Sequence, residues 1–167
     1  MSIAVNHIGV SVTDIQRAMR WYRDILRMTV LVSPTEVSSP PTNPQGAEIS
    51  ERVKAVFGSR FHKLLICHMS SANGIGIELF QFVEPKVEHR ENDTNFEYWK
   101  TGFFHIAITD PNVEEIADRI AASGGKKRTN VMEFPSGSGK KICFCEDPDG
   151  NIIEIYSHSY EQFWANS

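Results

Sequence analysis

The stretch HIGVSVTDIQRAMRWY, residues 7–22, decides the fold, because its pattern recurs in the second half of the chain as HIAITDPNVEEIADRI, residues 105–120. In each stretch an apolar run begins at a histidine, and a residue suited to cap a helix, Asp14 or Asn112, follows seven positions later. The apolar runs predict strands, and the apolar residues at helical spacing after the caps predict helices. The chain is therefore expected to contain an internal repeat.

The later strands complete the repeat. The stretches IGIELFQF (75–82) and NIIEIYSH (151–158) share an isoleucine followed by glutamate, and each closes its half of the pattern. The order β-α-β-β-β occurs twice and predicts an α+β fold. We expect a single domain over 1–167 with modules at 3–83 and 103–158, a linker at 84–102 and a C-terminal tail at 159–167. The two modules are expected to form a curled mixed sheet around a cavity, with the helices outside.

The first module is longer than the second. The extra residues are expected between 33 and 58, as a loop over the proline-rich stretch 33–46 and a helix over 47–58. The inward face of that helix is predicted to consist of four apolar residues, Ile49, Val53, Val56 and Phe57.

Composition and charge limit the classes of binding partner that the sequence suggests. The chain has 167 residues, 41% of them hydrophobic and 23% charged, and a formal charge of −4. No basic face is visible, which argues against nucleic acid and membrane partners. The densest basic cluster, KKR at 126–128, is expected to be a solvated loop.

The three cysteines, Cys67, Cys143 and Cys145, do not form an even-numbered disulfide framework and are expected to be buried, reduced thiols. The N-terminal stretch lacks the charged and long apolar regions of a signal peptide. A cytoplasmic location is the expectation from both observations.

Strand alternation places four ionisable residues on corresponding faces. His7 and Glu78 lie on the mixed face of the first module, and His105 and Glu154 on that of the second. A lone carboxylate such as Glu154, among isoleucines, would be costly to bury without a positive partner. Two imidazoles and two carboxylates suit a divalent metal, which would compensate both charges. The predicted cavity is therefore a metal cavity with ligands His7, Glu78, His105 and Glu154.

Several stretches together resemble the vicinal oxygen chelate superfamily, which includes glyoxalase I, bleomycin-resistance proteins, methylmalonyl-CoA epimerase and extradiol dioxygenases. They are NHIGVSVTDIQRAMRWYRDIL (6–26), IELF (77–80), GFFHIAITD (102–110) and EDPDGNIIEIYS (146–157). The family's four ligand places fall on the four residues named above, and the His-Glu-His-Glu set resembles glyoxalase I most closely.

This resemblance implies a metal-dependent lyase or isomerase that converts an α-oxo hemithioacetal, of the methylglyoxal–glutathione type, through an enediolate. Glu154 would act as general base, and Glu78 as ligand or partner base. The metal would be zinc, nickel, cobalt or manganese, with glutathione as a co-substrate, and the protein would be a homodimer acting on a small molecule. Three alternatives stay open: an epimerase, an iron-dependent extradiol dioxygenase, and a non-catalytic binding protein of the resistance type.

Overall fold

A computed structural model describes residues 3–41, 47–88 and 98–165 of the chain. The chain divides into two compact units, residues 1–89 and residues 90–167. The predicted modules at 3–83 and 103–158 fall one in each unit.

The first unit contains four strands and two helices among its described residues. They are β1 (His7–Ser11), α1 (Ile15–Asp24), β2 (Thr29–Ser38), α2 (Ala47–Phe57), β3 (Lys63–Ser70) and β4 (Gly76–Glu84). The strands lie in the order β1-β4-β3-β2, with β1 parallel to β4 and the other pairs antiparallel.

The second unit repeats this arrangement in its described part. Its elements are β5 (His105–Thr109), α3 (Val113–Ala122), β6 (Lys126–Lys127), β7 (Met132–Glu133), β8 (Lys141–Glu146), β9 (Ile152–Tyr156) and α4 (Tyr160–Trp164). The order is β5-β9-β8-β6, with β7 also paired to β8, and β5 runs parallel to β9. The two mixed sheets with their helices confirm the predicted α+β class.

The helices that follow the first strands begin differently. The Asp14 carboxylate accepts the backbone N–H of Arg17 at 2.9 Å, so α1 is capped as predicted. Asn112 occupies the corresponding position before α3, but its side chain makes no capping hydrogen bond. The preceding Asp110 instead accepts the Asn112 N–H at 2.8 Å. Asn112 is therefore the N-cap residue of α3, as predicted, but its side chain does not supply a capping hydrogen bond.

Strand β2 extends into the segment that was expected to be a loop. Residues 33–38 continue the strand, although Pro34 has no N–H to donate to a ladder. The register with β3 shifts between Val32 and Thr35, and β2 lies at the end of the strand order. An edge strand with an irregularity at the proline can accommodate such a residue, so the predicted loop at 33–46 starts too early.

Helix α2 forms as predicted, but only two of the four residues predicted to face inward, Val53 and Phe57, make packing contacts. Val53 packs against the core cluster of Val37, Phe61 and Leu64. Ser50 is the buried residue of the helix, while Ile49 and Val56 are exposed. The Phe57 ring contacts the rings of three phenylalanines, which are Phe61, Phe80 and Phe82. At about 100° per residue, Phe57 lies close to Ser50 around the helix, whereas Ile49 and Val56 are displaced by about a quarter turn or more.

The three cysteines are buried and free, as predicted. The Sγ atoms of Cys143 and Cys145 lie 3.9 Å apart on the same face of β8. Among the helices of the described residues, none combines the length and the apolar character needed to cross a membrane.

Replacing Phe57 with alanine should lower the free energy of unfolding by about 1–3 kcal/mol, less than for a fully buried phenylalanine because the ring is 38% exposed. Its neighbour Val56 is 75% exposed, so Val56→Ala should change the stability by less than about 0.5 kcal/mol. Urea unfolding measures both values. Equal losses in the two variants would contradict the orientation of α2.

Candidate functional site

The first unit brings His7 and Glu78 together through its parallel strand pair. Gly9 on β1 is the register partner of Glu78 on β4, and His7 lies two residues before Gly9 on the same face. The Nε2 atom of His7 lies 3.3 Å from Oε2 of Glu78. The predicted shared face of these two residues is thus formed.

Two neighbours fix the position of His7. The backbone of Gly76 lies against it so closely that an added Cβ would be 2.9 Å from the Cβ of His7. The Nδ1 atom of His7 lies 2.8 Å from the amide oxygen Oδ1 of Asn6, so Nδ1 carries the proton in this contact. In the neutral imidazole this leaves the lone pair on Nε2, the nitrogen that faces Glu78.

The second unit reproduces the pair with the same atoms at the same distance. Ala107 on β5 is the register partner of Glu154 on β9, and His105 lies two residues before Ala107. Nε2 of His105 is 3.3 Å from Oε2 of Glu154. Glu154 is only 6% exposed, so the carboxylate predicted to be buried is buried.

A cavity of about 600 Å³ in the second unit contains the His105–Glu154 pair. Aromatic rings form much of its wall, and Arg128 and Thr129 add polar groups. The full set of lining residues is Tyr98, Phe104, His105, Ala107, Arg128, Thr129, Phe144, Glu154, Tyr156 and Tyr160. An apolar cavity with a few convergent polar groups is the usual form of a small-molecule site.

An interruption between β6 and β7 places Arg128 at this cavity. Lys127 pairs with Cys145 on β8, and Met132 pairs with Ile142. Between these two pairs the chain advances five residues on one side but only three on β8, so two extra residues bulge out. There the Thr129 hydroxyl accepts the Phe144 N–H at 3.1 Å. Arg128 forms an ion pair with Glu146 and lies over the Tyr98 ring. The KKR cluster is therefore not entirely the solvated loop that was predicted, since Lys126 and Lys127 form the short strand β6 and Arg128 lies at the cavity.

The electrostatics of Glu154 differ from those of an exposed carboxylate. Burial raises the pKa of Glu154, while the charge of His105 and a hydrogen bond from the Tyr156 hydroxyl partly oppose that rise. Burial, the charge of Glu154 and this hydrogen bond raise the pKa of Tyr156 to about 12. Tyr156 therefore stays a protonated donor at neutral pH, and Glu154 is more basic than an ordinary glutamate.

The donor set fits a divalent cation, and His7 shows this most clearly. With its proton on Nδ1, its Nε2 lone pair faces a carboxylate oxygen, and both groups are ligand types that a divalent cation binds. His105 differs, because its buried Nδ1 has no hydrogen-bond partner among the described residues. Within those same residues, no three or more His, Cys, Asp or Glu side chains are grouped as a metal site.

The structure therefore pairs the four predicted ligands two by two, one pair in each unit, and the four-ligand cage stays a prediction. Sequence reasoning missed Arg128 as a cavity residue and His68 as a neighbour of Glu78. His68 lies directly opposite Glu78, its register partner on the adjacent strand. The short hairpin at 71–75 fixes that register, so counting back from the turn would have identified it.

The comparisons with known proteins agree on one protein family. The model of the Glyoxalase/Bleomycin resistance protein/Dioxygenase superfamily matches residues 4–155. A glyoxalase family protein from Bacillus cereus superposes with a TM-score of 0.70 at 18% identity, covering 93% of this chain and 94% of that one. Glyoxalase I from Zea mays superposes with a TM-score of 0.60 at 20% identity, covering 93% of this chain and 44% of that one. At these identities the similarity concerns the fold.

Curated relatives match over shorter stretches. Glyoxalase I of Saccharomyces cerevisiae is 34% identical over 73 residues, which are 41% of this chain and 22% of the yeast protein. A lactoylglutathione lyase of Arabidopsis thaliana is 38% identical over 58 residues, 33% of this chain and 19% of the plant protein. The matched region thus spans about a fifth of the length of each of these relatives.

Substituting Glu154 with glutamine should make the stability of the metal-free protein less dependent on pH. Because the folded-state pKa of Glu154 is raised above the ordinary 4.5, the folded protein holds this proton more tightly than the unfolded chain. Wild-type stability should therefore fall as pH rises through the window that begins near 4.5, while Glu154→Gln lacks this loss.

Urea unfolding at pH 4 and pH 7, with a chelator present, measures the effect. The stability of Glu154→Gln relative to wild type should increase from the lower to the higher pH. A constant difference between Glu154→Gln and wild type across these two pH values would contradict the raised pKa.

Proposed function

Because the chain belongs to the glyoxalase/bleomycin resistance protein/dioxygenase superfamily, we propose that it is a metal-dependent enzyme of the glyoxalase I type. Its substrate would be an α-oxo hemithioacetal, of the kind formed by methylglyoxal and glutathione. The names of the matched relatives, glyoxalase I and lactoylglutathione lyase, support this substrate class.

The observation that carries the proposal is the buried Glu154 beside the cavity of the second unit. Its pKa is raised by burial, which brings a carboxylate nearer to the pH at which a general base works best. Glu154 takes the proton from the carbon that bears the hydroxyl and the sulfur, and returns it to the neighbouring carbonyl carbon. The hydroxyl proton passes to the oxygen of that neighbouring carbon, so the carbonyl group and the hydroxyl group exchange places. The product is an α-hydroxy thioester, and no other reactant is consumed.

His7, Glu78, His105 and Glu154 would hold the metal. When bound, a divalent ion supplies Lewis-acid stabilisation of the negative charge that develops on the substrate oxygens. The aromatic side chains make much of the cavity wall apolar, and an apolar wall strengthens the electrostatic interactions of a substrate that lies against it. The Tyr156 hydroxyl holds the Glu154 carboxylate in place by hydrogen bonding.

Glu154→Gln should keep bound metal and lose turnover by about 10²–10⁴-fold, because glutamine is nearly isosteric but cannot accept the proton. The measurements are metal content per chain and the rate of hemithioacetal isomerisation. The control is Glu115→Gln, which should retain wild-type activity. Full turnover by Glu154→Gln would remove Glu154 from the role of base.

Metal analysis and substrate assays on the wild-type protein distinguish the three alternative functions from the proposed one. Bound iron with ring cleavage of a catechol would indicate a dioxygenase, and turnover of methylmalonyl-CoA an epimerase. A protein that binds no metal, yet binds a small apolar compound, would be a binding module. Any of these results would replace the proposed isomerase.

If the two His–Glu pairs hold a single ion together, His7→Ala and His105→Ala should each reduce the bound metal from about one ion per chain to nearly none. Two independent half-sites would instead leave about half of the metal in each variant. Zinc titration after chelator treatment measures the stoichiometry, and His62→Ala, at an exposed position, is the control.

We also propose that the protein acts as a homodimer. The two His–Glu pairs that hold one ion would then come either from two different chains or from the same chain. Co-expression of His7→Ala with His105→Ala distinguishes these two arrangements. If each ion is held between chains, a mixed dimer keeps one intact site and activity returns to about a quarter of the wild-type value. If both pairs come from one chain, the mixture stays inactive.

A further inference from the structure

The Glu78 carboxylate is contacted by two imidazoles, one on each oxygen. Oε2 faces Nε2 of His7 at 3.3 Å, and Oε1 lies 3.2 Å from Nδ1 of His68. His68 is the direct register partner of Glu78 across the antiparallel pair of β3 and β4. The side chains of His68 and Glu78 are 37% and 24% exposed, so the contact lies partly sheltered from water.

The repeat shows that this contact is specific to the first unit. In the second unit the direct register partner of Glu154 on β8 is Phe144. A histidine and a phenylalanine therefore occupy equivalent places beside the two equivalent glutamates. Glu154 receives its hydrogen bond from Tyr156, two residues further along its own strand.

We propose that His68 is a positioning residue, which fixes Glu78 as a metal ligand through a hydrogen bond from Nδ1 to Oε1. This inference rests on the proposed metal-dependent function. Nδ1 of His68 lies within donor–acceptor distance of Oε1, and an imidazole that carries its proton on Nδ1 donates to the carboxylate there. With Oε1 occupied, the carboxylate presents Oε2 to the side on which His7 lies.

This hydrogen bond orders the Glu78 carboxylate before a metal ion binds. A glutamate side chain has several rotamers, and ordering them on binding lowers affinity. Hydrogen bonds from neighbours to metal-binding side chains are typically worth 10–100-fold in metal affinity. Phe144 cannot donate such a bond, so the hydrogen bond to Glu154 comes from Tyr156 on its own strand rather than from the adjacent strand.

The test compares His68→Phe with His68→Asn. Phenylalanine reproduces the second unit's own arrangement and removes the donor, whereas the asparagine amide places an N–H close to the position of Nδ1. We expect His68→Phe to bind zinc about 10–100-fold more weakly in competition with a chromophoric chelator, and His68→Asn to bind within about 3-fold of wild type. The cobalt-loaded His68→Phe protein should also show an altered visible spectrum.

A role in packing alone predicts the reverse order, because an aromatic residue suits a strand better than asparagine does. Equal zinc affinity in His68→Phe and wild type, or a larger loss in His68→Asn, would overturn the proposal. His62→Phe and His62→Asn, just before the same strand, are matched controls and should leave the affinity unchanged. Thermal melts of all variants confirm that they fold.

The failure of this inference is distinguishable from the failure of the proposed function. Wild-type zinc binding that is lost in Glu78→Gln, but unaffected in His68→Phe, would reject only the role of His68. Zinc binding that is absent in wild type, or indifferent to Glu78→Gln, would reject the proposed metal site and the role of His68 with it.

Discussion

The parallel pairing of the first and last strands in each unit is the constraint on which the candidate site depends. In both units the histidine lies two residues before the register partner of the glutamate. That offset brings the same two atoms, Nε2 and Oε2, to 3.3 Å in each pair. Because side chains alternate along strands, a register slip of one residue would move one member of the pair to the opposite face.

Much of this arrangement is readable in the sequence, because it follows from periodicity. The repeated histidine and glutamate, the helix after each first strand and the cap at Asp14 all depend on residues close together in the chain. The errors arise where distant partners decide. Strand β2 continues through Pro34 because β3 pairs with it, and Arg128 reaches the cavity because two extra residues bulge opposite β8. Neither effect has a local signature.

The position of His68 lies between these two cases, because it depends on strand pairing but on a pairing that a nearby turn determines. Its burial and its neighbours depend on strand pairing, yet a short hairpin fixes that pairing within a few residues of the turn. Local sequence therefore contained the information, but the histidine at the end of an apolar strand resembled an ordinary surface residue. Only the register shows that it lies against Glu78 rather than free in solvent.

The two halves of the repeat keep the same pair but surround it differently. Glu154 lies in an apolar, aromatic setting that raises its pKa, which suits proton transfer. Glu78 is more exposed and is held by a polar partner, which suits a fixed ligand. The inserted helix α2 adds to this difference, because Phe57 packs on Phe80 and Phe82, which share a strand face with Glu78. An insertion at this place therefore alters the surroundings of Glu78, the proposed fixed ligand, and leaves those of Glu154, the proposed base, intact.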